Sequence, residues 1–132
     1  LYNAICVIDA VKPRSVQPSD VTDAALAKSD AQCVEVLAVF CAMLGTVAGN
    51  LALTLGAVGG VYVGGGIVPR LGNYFTRSEF RERFESKGRY RDYLAPIPAY
   101  VIGSAAPAFY GLARSLVDAS PRIEDRAQED RA

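Results

Sequence analysis

Few side chains in this sequence are equipped for chemistry. It has no histidine, which removes the Ser-His and Cys-His nucleophile pairs, the usual zinc ligand and the commonest general base. Its three cysteines, Cys6, Cys33 and Cys41, form no C-x-x-C pair and read as reduced, mostly buried thiols of a cytosolic protein. No run of residues has metal-ligand spacing. Asp92 and Asp118 lack any partner that would mark them as bases. The segment that stands out is main chain rather than side chain. In "VYVGGGIVPR", Val61 to Arg70, a β-branched and aromatic run opens into Gly64, Gly65 and Gly66. Without a Cβ, glycine lets another molecule or segment approach the backbone closely, and it admits positive φ. The same glycines also suit a bare strand-to-helix turn.

Other polar groups have plainer readings. Asn50 lies in an apolar stretch and needs a hydrogen-bond partner if buried; a tie to neighbouring backbone is the simplest one. Arg70, Arg77, Arg81, Arg83, Lys87, Arg89 and Arg91 alternate with acids, the pattern of a solvated helical face with i, i+4 ion pairs. Tyr90, Tyr93 and Tyr100 read as packing residues. Fourteen basic residues balance fourteen acidic ones, so net charge gives no reason to expect a nucleic-acid partner.

The elements that must position the glycine turn follow from periodicity. "LYNAICVIDAV" is apolar at Leu1, Ile5 and Ile8, a helix face directed at the core. Lys12 to Asp20 is a loop with two prolines. "DVTDAALAKSD" predicts a short helix capped by Asp20, with Asp23 in its first turn. Ala31 to Leu55 predicts a long apolar helix that ends at the glycines of "GAVGG". "VYVGGGIV" and "IPAYVIG" predict short strands. Between them, "TRSEFRERFESKG" predicts a surface helix: Thr76 and Glu79 fit a capping box, Phe80 and Phe84 lie one turn apart, and Gly88 suits its end. "APAFYGLARSLVD" predicts a helix with Phe109, Leu112 and Leu116 on one face. The rest of the chain is polar and reads as a tail or linker over residues 119–132. The alternation implies α/β, with two parallel strands joined by a right-handed crossover. Two strands alone make a poor sheet.

From Val36 to Pro69 there are 34 residues without a charge, enough to span a bilayer. Gly45 and Gly49 also form a G-x-x-x-G pair of the kind that brings helices together in lipid. Against a span, six of the run's eight glycines fall from Gly56 to Gly66. Thr46, Asn50 and Thr54 give the helix a polar stripe, and the run ends in a strand that cannot cross a membrane alone. A buried helix and strand in a soluble fold is the better reading, with a small membrane protein as the competing one.

The residues "GNLALTLGAVGGVYVGGGIVPR" (Gly49 to Arg70) closely resemble the bacterial glucokinase family, hexokinase-type enzymes of the actin-like ATPase fold. "PSDVTDAALA", "FCAMLGTVAGNLAL", "FRERFESKGRYRDYL" and "IPAYVI" follow the family's order and spacing, so the likeness covers roughly Leu1 to Leu116. It implies an α/β fold: the helix-rich C-terminal part of a ribonuclease H-like large domain over residues 1–118, with two parallel strands flanked by helices and the upstream strands missing. By the same resemblance, Gly64, Gly65, Gly66, Ile67 and Val68 belong to an adenosine-binding motif. The glycines would lie against the nucleotide, with Ile67 and Val68 behind them. The family transfers the γ-phosphate of ATP, with Mg²⁺, to glucose after a carboxylate takes the sugar's proton. Neither that catalytic aspartate nor the sugar-holding groups have counterparts here, so the segment is expected to be inactive alone.

The resemblance therefore implies part of a cytoplasmic, ATP-dependent glucokinase with glucose and ATP as its partners. It gives no reason to expect a nucleic acid or a membrane. A non-catalytic sugar-kinase-like module for regulation or assembly, joined to a transcriptional-regulator domain, is the alternative. An incomplete sheet would leave a bare edge and an uncovered apolar face. A homo-oligomer is therefore expected, formed through the helix around Leu37 to Leu55 or through the sheet edge.

Overall fold

A computed structural model describes residues 1–104 and 106–119. They form two units, residues 1–101 and residues 102 onward. The polar segment assigned to a tail lies, after Ala119, outside the described residues.

The first unit is built around α3 (Ala31–Leu55). Its start is fixed by Asp30, whose carboxylate accepts a hydrogen bond from the Cys33 N–H at 2.9 Å. Its end is fixed by Gly56 at φ +61°, with the Ala57 N–H returning to the Ala52 carbonyl at 3.0 Å. This closes the helix with the left-handed residue that glycine supplies most readily. Two shorter helices pack on α3: α1 (Tyr2–Ile8) and α2 (Pro18–Leu26). α1 buries Tyr2, Ile5 and Cys6, whereas Ile8 is exposed. The expected Leu1–Ile5–Ile8 face is therefore rotated toward Tyr2 and Cys6. α2 begins two residues before the expected cap. Pro18, with no N–H to satisfy, takes the first position, and Asp20 sits inside the helix, accepting from the Gln17 N–H at 3.0 Å.

The later half of α3, at Gly45 and Gly49, carries α6 (Phe80–Glu85). Here Gly45 and Gly49 explain themselves. A Cβ on Gly45 would lie 2.2 Å from the Phe80 carbonyl oxygen, and one on Gly49 would lie 2.3 Å from that of Phe84. The two backbones approach as closely as two glycines one turn apart allow. Phe75, Phe80 and Phe84 fill the space beside them, with ring centroids 4.7 and 6.2 Å apart in sequence order. Lys87 clamps the contact by donating to the Thr46 carbonyl at 3.0 Å.

Between α3 and α6 lie β1 (Val61–Val63), α4 (Val68–Leu71) and α5 (Asn73–Thr76). After α6 come a 3₁₀ turn (Gly88–Tyr90), α7 (Arg91–Leu94) and β2 (Ala99–Val101). The expected Thr76–Glu79 capping box does not form. Thr76 ends α5 and donates to the Asn73 carbonyl, while Ser78 Oγ accepts from the Phe80 N–H at 3.3 Å. Gly88 opens the 3₁₀ turn rather than closing α6.

β1 and β2 pair in parallel, with Val61, Tyr62 and Val63 opposite Ala99, Tyr100 and Val101. Alternation sends Val63 into the core and Tyr62 outward. Tyr62 stacks on Tyr100 with centroids 5.0 Å apart. The fold is the expected α/β arrangement of two parallel strands flanked by helices. The second unit contains α8 (Pro107–Ala119), and Phe109, Leu112 and Leu116 recur along it at helical spacing.

Candidate functional site

The glycine turn begins where β1 ends. Gly64, Gly65, Gly66 and Ile67 follow Val63 as exposed coil, and α4 starts at Val68 with Pro69 in its first turn. Gly65 has φ +109°, a conformation that a side-chain-bearing residue adopts only under strain. A Cβ added at Gly65 or Gly66 would meet nothing within 4 Å. The main chain there is bare and open. Val68 is buried beneath the turn among the core residues and fixes it from behind. The turn stands at the carboxyl end of a parallel strand, where ligands of open α/β sheets commonly bind.

Ile67, half exposed, is the one residue of this segment that also lines a groove of about 510 Å³. Val16, Val21, Val36, Leu37 and Phe40 make its apolar wall. Asn3, Arg14, Ser15 and Thr22 make its polar rim. Each wall has a local cause. α2 supplies Val21 and Thr22 from one face, and Thr22 Oγ1 donates to the Pro18 carbonyl at 3.1 Å. The loop before α2 is held by Arg14, whose guanidinium donates to the carboxylate of Asp30. Asp30 thus has two tasks, one oxygen capping α3 and the other anchoring the loop. The hydrogen bond from the Cys33 amide and the charge of Arg14 hold its carboxyl below the usual carboxylate range, and Tyr2 and Asp30 push the Arg14 guanidinium further up.

The cysteines are all free and buried. Burial is the main cause that raises the Cys33 and Cys41 thiols above their ordinary range, so neither has the character of a nucleophile. Among the described residues no cluster of His, Cys, Asp and Glu could hold a metal ion. Asn50 is exposed and needs no buried partner. The charged stretch forms the expected ion pairs Arg81–Glu85 and Arg83–Glu79.

Two features escaped the sequence reading. Arg81 reaches beyond its own helix to donate to the carbonyls of Ala95, at 2.5 Å, and Ile97, at 2.7 Å. It thereby ties α6 to the turn that feeds β2. The groove's Arg14–Asp30 anchor joins residues sixteen apart on either side of α2, with no periodic signal to reveal it.

Comparison with known proteins agrees with this architecture. The profile of the family described as Glucokinase matches residues 1–119. The chain is 54% identical over 118 residues to a glucokinase of Chromobacterium violaceum, covering 89% of this chain and 34% of that one. It is 53% identical over 119 residues to a glucokinase of Aromatoleum aromaticum, covering 90% and 36%. Among solved structures, the crystal structure of a glucokinase from an Antarctic psychrotroph superposes with a TM-score of 0.80 at 30% identity, over 89% of this chain and 37% of that one. The chain thus spans about a third of the length of the relatives it matches. The profile match over residues 1–119, together with identity above half to these glucokinases, shows that the chain belongs to the glucokinase family.

Proposed function

We propose that this chain is the C-terminal part of an ATP-dependent glucokinase, converting ATP and glucose to ADP and glucose 6-phosphate. Its share of the work is to hold the adenosine end of ATP. Gly64, Gly65 and Gly66 lie against the nucleotide, and Ile67 and Val68 back the turn. The observation that carries the reading is the open main chain at Gly65 and Gly66, at the carboxyl end of a parallel strand and with no atom in the way of an incoming group. Mg²⁺ enters the family's chemistry with the ATP phosphates. The side chains described here form no cluster suited to it, so no step is assigned to it.

The segment lacks counterparts of the family's catalytic aspartate and sugar-binding groups, and by itself it does not phosphorylate glucose. A chimera provides the test: this chain replaces the matching third of the Chromobacterium violaceum glucokinase, and glucose-dependent ADP formation is followed. An active chimera, with no turnover by the chain alone, supports the reading. A folded but inactive chimera overturns it and favours a non-catalytic module.

The same reading puts the protein in the cytoplasm. α3 is long and apolar enough to cross a membrane, and only 33% of its most apolar window is buried. One side of it is nevertheless committed to α1, α2 and α6. Its free side carries Met43, Val47 and Leu51, all more than half exposed. We propose that a second copy covers this side, because the stretch from Val36 to Pro69 holds no charge that would repel its like. Sedimentation of a single species at the monomer mass would contradict the dimer.

A further inference from the structure

A second groove, of about 450 Å³, is formed where the end of α2, the first half of α3 and α5 meet. Its size is within the range of small-ligand sites. Among the described residues, the glycine turn contributes nothing to its lining. α5 and the turn after it supply the polar wall at helical spacing: Asn73 with Arg77, and Tyr74 with Ser78, each pair four residues apart. Ala38 of α3 and Lys28, just past α2, are also part of the lining.

Lys28 holds its place at a cost. It is the left-handed residue of the turn that ends α2, with φ +54°. Its N–H donates to the Ala25 carbonyl at 3.1 Å, and the Ser29 N–H donates to the Ala24 carbonyl at 3.0 Å. Glycine takes such a position most readily, and a side chain there strains the backbone. A lysine in a glycine position calls for a use of its side chain, and the fold supplies none. Among the described residues, neither Lys28 nor Arg77 forms an ion pair or a side-chain hydrogen bond, whereas Arg14, Arg70, Arg81, Arg83 and Arg91 all meet an acid.

Two uncompensated cations on one small groove suit a doubly charged anion such as a phosphate ester. The other groups bear on the rest of the ligand. Burial and the nearby Cys41 push the Tyr74 phenol up, so it stays protonated and can donate. Ser78 Oγ is already engaged, donating to the Phe75 carbonyl at 2.7 Å and accepting from the Phe80 N–H at 3.3 Å. The Glu79 carboxylate is met by Arg83 at 3.2 Å, which offsets its charge and leaves lone pairs for hydroxyl groups. The Asn73 carboxamide can both donate and accept. Acceptors beside two cations fit a ligand that carries hydroxyls as well as charge.

We propose that this groove binds a sugar phosphate, with the phosphate between Lys28 and Arg77 and the hydroxyls toward Asn73 and Glu79. The site goes beyond the nucleotide reading and does not depend on it.

The test is a titration of the ¹⁵N-labelled 132-residue chain, followed by amide shifts, with glucose 6-phosphate, inorganic phosphate and glucose in turn. The expected result is saturable movement of the Lys28, Tyr74 and Arg77 amides with glucose 6-phosphate while those of Gly64 to Ile67 stay still. Inorganic phosphate should bind the same place about tenfold more weakly, and glucose should not reach saturation there. Lys28→Gly removes the charge and relieves the left-handed backbone, so it should unfold at no lower urea concentration and yet bind the ester about tenfold more weakly. Arg77→Gln, at an exposed side chain with no partner to lose among the described residues, should weaken binding alike. No saturable shift at Lys28, Tyr74 and Arg77, shifts confined to the glycine turn, or unchanged affinity in both folded variants overturns the site. Inorganic phosphate binding as tightly as the ester overturns the sugar assignment.

Discussion

Replacing Gly45 with alanine sets two effects against each other. Alanine is the better helix former by about 1 kcal/mol, and on propensity alone the substitution in the middle of α3 should stabilise. The packing says otherwise. The new Cβ would lie 2.2 Å from the Phe80 carbonyl oxygen, 2.9 Å from its carbon and 3.0 Å from its Cα. These are backbone atoms, so no rotamer change relieves the clash. The helices must part by about 1 Å, a gap that forfeits a quarter to a half of each dispersion contact across it. Overpacking of this kind costs about 1–3 kcal/mol and occasionally more. Here the upper end applies, because Phe80 and Phe84 lose contact together. After the helix-propensity gain, a net destabilisation of about 2 kcal/mol remains.

Urea unfolding followed by circular dichroism should show the midpoint falling by about 1 M. Gly49→Ala, facing the Phe84 carbonyl at 2.3 Å, should behave alike. The double substitution should cost less than the sum, since the first already separates the helices. Gly59→Ala, with nothing within 4 Å of its Cβ, serves as the control and should leave the midpoint nearly unchanged. A Gly45→Ala protein as stable as the parent would refute the close α3–α6 contact and the core built on it.

Asp30→Ala removes the cap of α3 and the anchor of Arg14 and should cost about 1 kcal/mol, measured by the same unfolding assay. The folded Asp30 carboxyl titrates below its unfolded value, so its contribution is present above about pH 4 and is lost as pH falls through the lower, folded value. Acid titration of the parent and of Asp30→Asn should converge at low pH and diverge above it. Arg81→Ala should destabilise by about 2 kcal/mol through the freed Ala95 and Ile97 carbonyls, and Arg81→Lys should recover only part, because a single ammonium cannot span both. Cys33 and Cys41 should resist iodoacetamide at pH 8 in the native protein and react once it is unfolded, read by intact mass; rapid native alkylation would contradict their burial.

The parts of the fold that were legible in the sequence are those set by composition over a long window. The bounds of α3 follow from an uninterrupted apolar stretch between an aspartate cap and a glycine. The two strands follow from β-branched and aromatic runs. Local caps were harder to place, because Ser, Thr, Asp and Asn compete for one role within a few residues. Pro18 displaced Asp20 at the start of α2, and Ser78 displaced Thr76 ahead of α6. G-x-x-x-G was legible as a pattern but not as a contact, since the same pair serves in lipid and in a soluble core. The glycine turn was visible as bare backbone, and its ligand came only from family resemblance. The groove was not legible, because its walls come from the loop before α2, from α2, from α3 and from Ile67. Arg81 was hidden for a related reason: an arginine among alternating charges looks solvated until the carbonyls it reaches are known.

The proposed role requires a nucleotide to rest against the main chain at Gly64, Gly65 and Gly66. The most direct measurement is an ¹H–¹⁵N correlation spectrum of this chain titrated with ADP, with glucose 6-phosphate as the control ligand. Saturable shifts of the Gly64, Gly65, Gly66 and Ile67 amides are expected with ADP, and they should be lost in Gly65→Val. Amides of the turn that stay still while ADP moves others, or that do not respond at any ADP concentration, would contradict it.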